Sequence, residues 1–351
     1  MILFDRILGL FSHDMGIDLG TCNTLVYLRG KGVVICEPSV VAVWKETSTV
    51  INNGQAVGKY AKKMVGRTPG NIVAVRPLKD GVISDLALAE AMLRYFINKV
   101  HNNHSWSRPR MVISYPCGIT EVEKKAITIS AKRAGARQVY LVPEPMAAAI
   151  GAGMQTQEPA GNMIVNIGGG TTEVAIISMS GMVSSVSLRV AGDKLDEAII
   201  NYIKRQHNLI IGDLMAEQVK ISVGSAFPLE EELSYTVMGR DQVKGLPRSI
   251  VVHSEEIREA IKEPVEQIIS SILNTLETAP PDLAGDIYTR GIYLAGGGAL
   301  LRGLDKLITK ETRGIPVHVA EEPLFAVIRG TGWILDDINN LGVAFESSDE
   351  D

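Results

Sequence analysis

Two glycine-rich turns, each with an acid or an amide just before it and threonine just after, are the residues of this chain best suited to chemistry. The first reads Gly16-Ile17-Asp18-Leu19-Gly20-Thr21. The second reads Val165-Asn166-Ile167-Gly168-Gly169-Gly170-Thr171-Thr172. Each runs into a second apolar stretch (Leu25 to Leu28; Val174 to Ile177), the pattern of a β-hairpin. Glycine takes the Cβ out of a turn, so backbone N–H groups can close on an anion. The copies lie 148 residues apart, and a spacing of about one domain length suggests two half-molecules with one nucleotide between them. Glycine also serves hairpin turns for purely conformational reasons, and either copy alone is open to that reading. A third cluster, Gly296-Gly297-Gly298-Ala299, follows the apolar Ile292-Tyr293 and precedes Leu300, Leu301, Leu304, Leu307 and Ile308 at helical spacing. A strand–glycine–helix junction lets backbone pass flat against a nucleoside or meet a phosphate at the helix N-terminus.

The elements that must position these turns follow from apolar periodicity. Extended segments at 32–35 and 39–44 are separated by Glu37-Pro38, and the polar stretch from Lys45 to Gln55 reads as turns. Ala89, Met92, Leu93, Phe96, Ile97 and Val100 recur at helical spacing within 85–100. Met111 to Tyr115 and Val139 to Val142 read as strands, and Thr120-Glu121-Val122-Glu123 as a capping box between them. The helix from Met146 to Gly151 is faced with Ala147, Ala148 and Ala149. Such a face admits another backbone closely, either at a hinge between halves or simply in tight packing. The second half repeats the order: hairpin, strands to Val190, a helix through Leu195, Ile199 and Ile203, and a helix at 213–222. A polar insertion then reaches Val252, and one long amphipathic helix is expected over 254–276, kinked by Pro264. The end, 346–351, is acidic and expected to fray.

Composition narrows the class. With 46% hydrophobic and 21% charged residues over 351 positions, the chain reads as an α/β globular protein of about two domains. A net charge of −5 gives no support for nucleic-acid binding. Cys22, Cys36 and Cys117 show no metal-ligand spacing and read as reduced thiols. No apolar run reaches the ~18–20 residues that cross a bilayer, and no signal-peptide pattern is present. The first residues nonetheless place Leu3, Phe4, Ile7, Leu8 and Phe11 on one helical stripe. Two readings stand: a helix docked on the body, or one lying in a membrane interface.

The ordered set of Gly16 to Thr21, Glu144-Pro145-Met146-Ala147-Ala148-Ala149-Ile150-Gly151, Ile167 to Glu173 and Gly296 to Gly298 resembles the actin, sugar-kinase and heat-shock-chaperone ATPase superfamily. Asn23-Thr24-Leu25, Glu37-Pro38-Ser39-Val40, the run from Arg76 to Ile83, Ala216-Glu217-Gln218-Val219-Lys220, and Gly298 to Gly303 are similar to the MreB family of rod-shape bacterial actins. The likeness runs from about Asp14 to Asn339. It implies an α/β actin-like fold, two ribonuclease-H-like halves with smaller inserted subdomains around a nucleotide cleft. On that fold 1–13 is an amphipathic membrane-contact segment; 14–41, 75–154 and 330–345 form subdomain IA; 42–74 form IB; 155–190 and 255–329 form IIA; 191–254 form IIB; and 346–351 is an acidic tail.

The resemblance also implies ATP and Mg²⁺ as cofactors. By position, Thr21, Cys22 and Asn23 bind phosphate with Gly20 at the first turn, and Gly168, Gly169, Gly170 and Thr172 do so at the second. Glu217 and Lys220 border ribose and adenine, and Gly296, Gly297, Gly298 and Ala299 form the adenosine loop. Glu144 orients the attacking water, Thr171 stands near the γ-phosphate, and Asp18 and Asn166 face Mg²⁺ through water. The implied partners are further copies of the chain, the inner membrane surface and the membrane proteins of cell-wall elongation, with no nucleic acid. The implied location is cytoplasmic, peripheral on the inner face of the bacterial plasma membrane. The family's amphipathic terminus favours membrane contact by the stripe from Leu3 to Phe11. Trp106, in the position of the family's membrane-touching loop, suits either headgroups or a core.

Departures cluster at the nucleotide. Asn166 replaces an aspartate and keeps an oxygen acceptor without the charge. Pro143, Ala295 and Cys22 replace glutamate, threonine and alanine. ATP binding should therefore survive better than hydrolysis, giving a slow ATPase or a polymerising scaffold; neutral drift is the other reading. A soluble chaperone or sugar kinase of the superfamily is the rival from another class. The first would need a substrate domain that 351 residues leave no room for, and the second a sugar-directed base not identifiable here.

Overall fold

Strands rich in Ile, Val, Leu and Met with both faces buried require layers on both sides, and the chain supplies them twice. The computed structural model describes residues 13–101, 108–338 and 346–347. The stripe Leu3, Phe4, Ile7, Leu8 and Phe11, and Trp106, lie outside the described residues.

The first sheet has six strands, ordered Glu346–Ser347, Gln138–Pro143, Arg110–Tyr115, Met15–Leu19, Asn23–Leu28, Gly32–Pro38. Met15–Leu19 pairs antiparallel with its hairpin partner and parallel with Arg110–Tyr115. The second sheet repeats that plan in the order Gly181–Leu188, Thr172–Ser178, Asn162–Ile167, Ile292–Ala295, Val317–Val319. Here Asn162–Ile167 pairs antiparallel with Thr172–Ser178 and parallel with Ile292–Ala295. The carboxyl ends of both central strands point into the crevice between the sheets, where ligands of open α/β sheets bind.

Two helices weld the sheets together. Glu144–Gly151 crosses Ala326–Asp336 so closely that a Cβ on Gly151 would overlap the carbonyl of Ala326, and one on Gly330 the carbonyl of Ala147. The alanine face does admit a second backbone, as its composition suggests. Val112 and Val142 of the first sheet and Ile164 and Ala175 of the second bury against this helix pair in one cluster. On the outer side of the first sheet, Leu86–Val100 buries Leu88, Met92, Leu93, Phe96 and Ile97, each contributing roughly 1.5–3 kcal/mol. Asp85 caps it by accepting from Leu88 N at 3.0 Å, and Thr120 with Glu123 forms the expected capping box.

Four expectations change. The strand from Gly32 continues through Glu37 and Pro38 instead of breaking there. The helix expected over 254–276 is two, Ser254–Ala260 and Lys262–Glu277, and the break falls at Ile261, not at Pro264. Pro264 sits in the first turn of the second helix, where no intrahelical donor is needed. The helix after the third glycine cluster starts at Leu304; Gly297–Leu300 form a 3₁₀ turn and Gly303 takes φ +71. The tail is not free from its start, since Glu346–Ser347 pairs antiparallel with Leu141 and Tyr140.

Candidate functional site

Register brings the two predicted turns to equivalent places. Asp18 is the penultimate residue of Met15–Leu19 and Asn166 that of Asn162–Ile167, so each side chain emerges one residue before its turn. The turns then meet. A Cβ on Gly169 would overlap Cys22, and one on Gly170 would come within 2.6 Å of Thr21 Oγ1. Thr21 Oγ1 accepts from Gly81 N at 3.0 Å, which ties the first turn to the loop before Leu86–Val100. The third cluster lies beside the second because Ala295 pairs with Asn166. Gly296 takes φ +81, and a Cβ on Gly298 would overlap Ile167.

Between these turns lies a cavity of about 540 Å³. Among the predicted phosphate, nucleoside, metal and catalytic residues, Asp18, Gly20, Thr21, Cys22, Asn23, Glu144, Asn166, Gly168, Gly169, Gly170, Thr171, Glu217, Lys220, Gly296, Gly297 and Gly298 line it. Thr172 and Ala299 do not. Thr172 is the first strand residue after the turn; its side chain points away and Oγ1 donates to Val190 O at 2.7 Å. Ala299 turns inward within the 3₁₀ turn and packs in the second-half core. The lining also contains residues no motif marked, among them Gly192, Ile221 and Leu324. Gly192 begins the helix Gly192–His207. A glycine at a helix start after a strand was the signal that could have found it. Ile221 and Leu324 carry no such signal.

The floor of the cavity is a buried acid cluster. Burial lifts the Asp18 carboxyl to about 7, against a hydrogen bond from Ser114 Oγ at 3.2 Å. Burial, and then the charges of Asp18 and Glu173, push Glu144 well above the usual carboxylate range. Asn166 Nδ2 donates to Glu144 Oε2 at 3.3 Å, while Asn166 Oδ1 is buried with no partner. Glu173 accepts from Ser187 Oγ at 2.6 Å and from Cys117 N at 3.1 Å, joining the halves behind the cavity. A buried amide oxygen without a donor, beside two hard carboxylates, suits a divalent cation. No three His, Cys, Asp or Glu among the described residues group closely enough to hold a metal alone. Water or phosphate would have to complete the shell, which is how Mg²⁺ is usually held.

At the mouth, side chains bridge the halves. Lys62 Nζ meets Glu217 at 2.7 Å, and Arg76 Nη1 meets Asp193 Oδ2 at 2.7 Å. Cys22 Sγ donates to Asp193 Oδ1 at 3.2 Å; burial, with the Asp193 charge next, holds its thiol up at about 12. Lys220 Nζ donates to Gly192 O and to Asp196, both at 2.9 Å. Burial, offset by Lys220, raises Asp196 to about 6. Both residues expected at ribose and adenine are thus engaged with protein partners.

Residues 12–343 match the profile of the family described as MreB/Mbl protein. The cell shape-determining protein MreB of Escherichia coli K12 is 52% identical over 336 residues, covering 95% of this chain and 96% of that one. Among solved structures, MreB 5 of Spiroplasma citri bound to AMPPNP superposes with a TM-score of 0.87 at 40% identity, over 92% of this chain and 96% of that one. The MamK double helical filament gives 0.79 at 25% identity, over 93% and 99%. The fold is actin-like.

Proposed function

This chain belongs to the MreB/Mbl family, and from that premise we propose that it is an ATP-binding bacterial actin that forms filaments and maintains rod shape. The observation that carries the nucleotide reading is the meeting of two glycine turns over part-buried Asp18 and buried Glu144 and Asn166, with one amide oxygen left without a donor. The relatives support it: one solved MreB 5 is bound to AMPPNP, and MamK is a double helical filament. The subdomain bounds given above, peripheral attachment to the inner membrane face, and recruitment of the cell-wall elongation proteins are part of the same proposal.

In this reading the amides of Gly20 to Asn23 and Gly168 to Thr171 hold the phosphates, and the wall at Gly296 to Gly298 passes the nucleoside. Glu217 must leave Lys62 to reach a ribose. Thr171, at the edge of the second turn, stands by the terminal phosphate. Glu144 is the carboxylate placed to orient a water, and Asn166 holds it by the Nδ2 hydrogen bond. A bound Mg²⁺ would supply charge neutralisation on the phosphates, with Asp18, Asn166 and intervening waters as its holders. Asp18 and Glu144, both raised by burial, would give up their protons on holding such a cation. Asn166 supports a second reading, a scaffold that assembles with little hydrolysis, because the amide brings one negative charge fewer to the cation. Sedimentation with ATP, ADP and no nucleotide, with phosphate followed in the same tube, tests both. ATP-dependent pellets with steady phosphate release are expected. Pellets without release select the scaffold, and no pellet with any nucleotide refutes the filament reading.

A further inference from the structure

The end of the first sheet opposite the nucleotide carries arginines that the cavity does not use. Met15–Leu19, Arg110–Tyr115 and Gln138–Pro143 run parallel, so their amino ends share one edge. On that edge Asp14 accepts from Arg110 N and Nε at 2.9 Å and from Nη2 at 2.7 Å. Those three donors leave little for others, yet Arg137 Nη2 at 3.4 Å and Arg29 Nη1 at 3.8 Å approach the same carboxylate. Arg137 Nε is buried without a partner. Arg137 N donates to Pro109 O at 3.0 Å, which puts exposed Arg108 alongside. Arg94 donates to Arg133 O at 2.8 Å, which extends the strip to exposed Arg133. Its acids are Asp14, Glu90, Asp336 and Asp337. Six arginines therefore outnumber four carboxylates on a chain whose net charge is −5.

We propose that this arginine edge, with Arg108 and Arg133 as its outward side chains and half-buried Arg137 behind them, takes the phosphates of anionic lipid headgroups. Guanidinium forks match phosphate oxygens bidentately and shed water more readily than ammonium. The edge is also where the described chain begins: His13 leads directly from the apolar stripe of Leu3 to Phe11 into Asp14. One weak apolar contact gives only marginal membrane binding, and a basic patch beside it is the usual second contribution. The inference rests on the membrane part of the proposed function and gives it a lipid class.

The test is co-sedimentation of the full chain with vesicles of phosphatidylcholine alone, and of phosphatidylcholine with about 30% phosphatidylglycerol, near the ionic strength where basic patches act. Arg108→Gln with Arg133→Gln leaves the Asp14 contacts intact and should fold normally. At about a fivefold effect per basic residue, the double variant should lose roughly 30-fold in partitioning to the anionic vesicles. It should match wild type on phosphatidylcholine and keep nucleotide-dependent pelleting. Salt at roughly 0.5 M should erase the difference. Equal partitioning of variant and wild type to anionic vesicles overturns the arginine edge while leaving membrane contact through the apolar stripe intact. No vesicle binding by wild type overturns both. Displacement from anionic vesicles by about 10 mM inorganic phosphate at matched ionic strength overturns the lipid assignment in favour of a free-phosphate site.

Discussion

Asp18→Asn weighs the buried charge of the nucleotide cavity directly. The carboxyl is part-buried on the cavity floor, and desolvation there lifts it from 3.8 to about 7. Between those values the folded protein holds a proton that the unfolded chain has released. Wild-type stability therefore falls as pH rises through that window, and the full cost stands above about pH 7. At about 1.4 kcal/mol per pKa unit the cost is about 4 kcal/mol at pH 8 and about 2 kcal/mol at pH 5. Asparagine has the same shape, keeps an oxygen for the Ser114 hydrogen bond and brings no charge. It also removes the charge that helps push Glu144 up, an effect of the same sign. The nucleotide-free variant should thus be more stable than wild type by those amounts. For 351 residues, at about 2.1 cal/mol/K of unfolding entropy per residue, that is about 5 °C in Tm at pH 8 and about half as much at pH 5. Calorimetry in EDTA at both pH values reads it. The Tm gain that Mg²⁺ with ATP confers on wild type should shrink or vanish in the variant. Equal Tm shifts at the two pH values, or a less stable variant at pH 8, would refute the argument that burial of the Asp18 charge controls this site.

Two further substitutions separate shape from charge. Asn166→Asp replaces the Nδ2 donor with a carboxylate 3.3 Å from Glu144, so the nucleotide-free protein should lose stability above neutral pH. Its steady phosphate release with Mg²⁺ and ATP should rise, and no rise in a phosphate assay would sink the charge-loss account of slow hydrolysis. Gly169→Ala puts a methyl group into Cys22 where the two turns meet. Overpacking of this kind costs about 1–3 kcal/mol, so nucleotide affinity measured by fluorescent-analogue titration should fall roughly ten- to a hundredfold. Gly212→Ala, at an open position with no atom within 4 Å of an added Cβ, should leave affinity unchanged.

What the sequence determined by itself is local: where glycine must replace a side chain, and where apolar residues recur at period 2 or 3.6. The two hairpins, the Thr120 cap and the alanine-faced helix each depend on residues within a few positions of one another, so they are legible as text. The glycine turns also announced the cavity, because an anion-binding turn needs its own backbone freed of Cβ atoms. Tertiary structure decided the rest. Register and side-chain direction, not motif membership, turned Thr172 and Ala299 away from the cavity while their neighbours Thr171 and Gly298 line it. Lys62 meeting Glu217, and Arg76 meeting Asp193, join residues 155 and 117 positions apart, and no spacing rule reaches that far. The raised acids at Asp18 and Glu144 come from burial, which exists only once the two sheets close on the same space. The arginine edge exists because three parallel strands start on one side, gathering charges that are scattered along the chain.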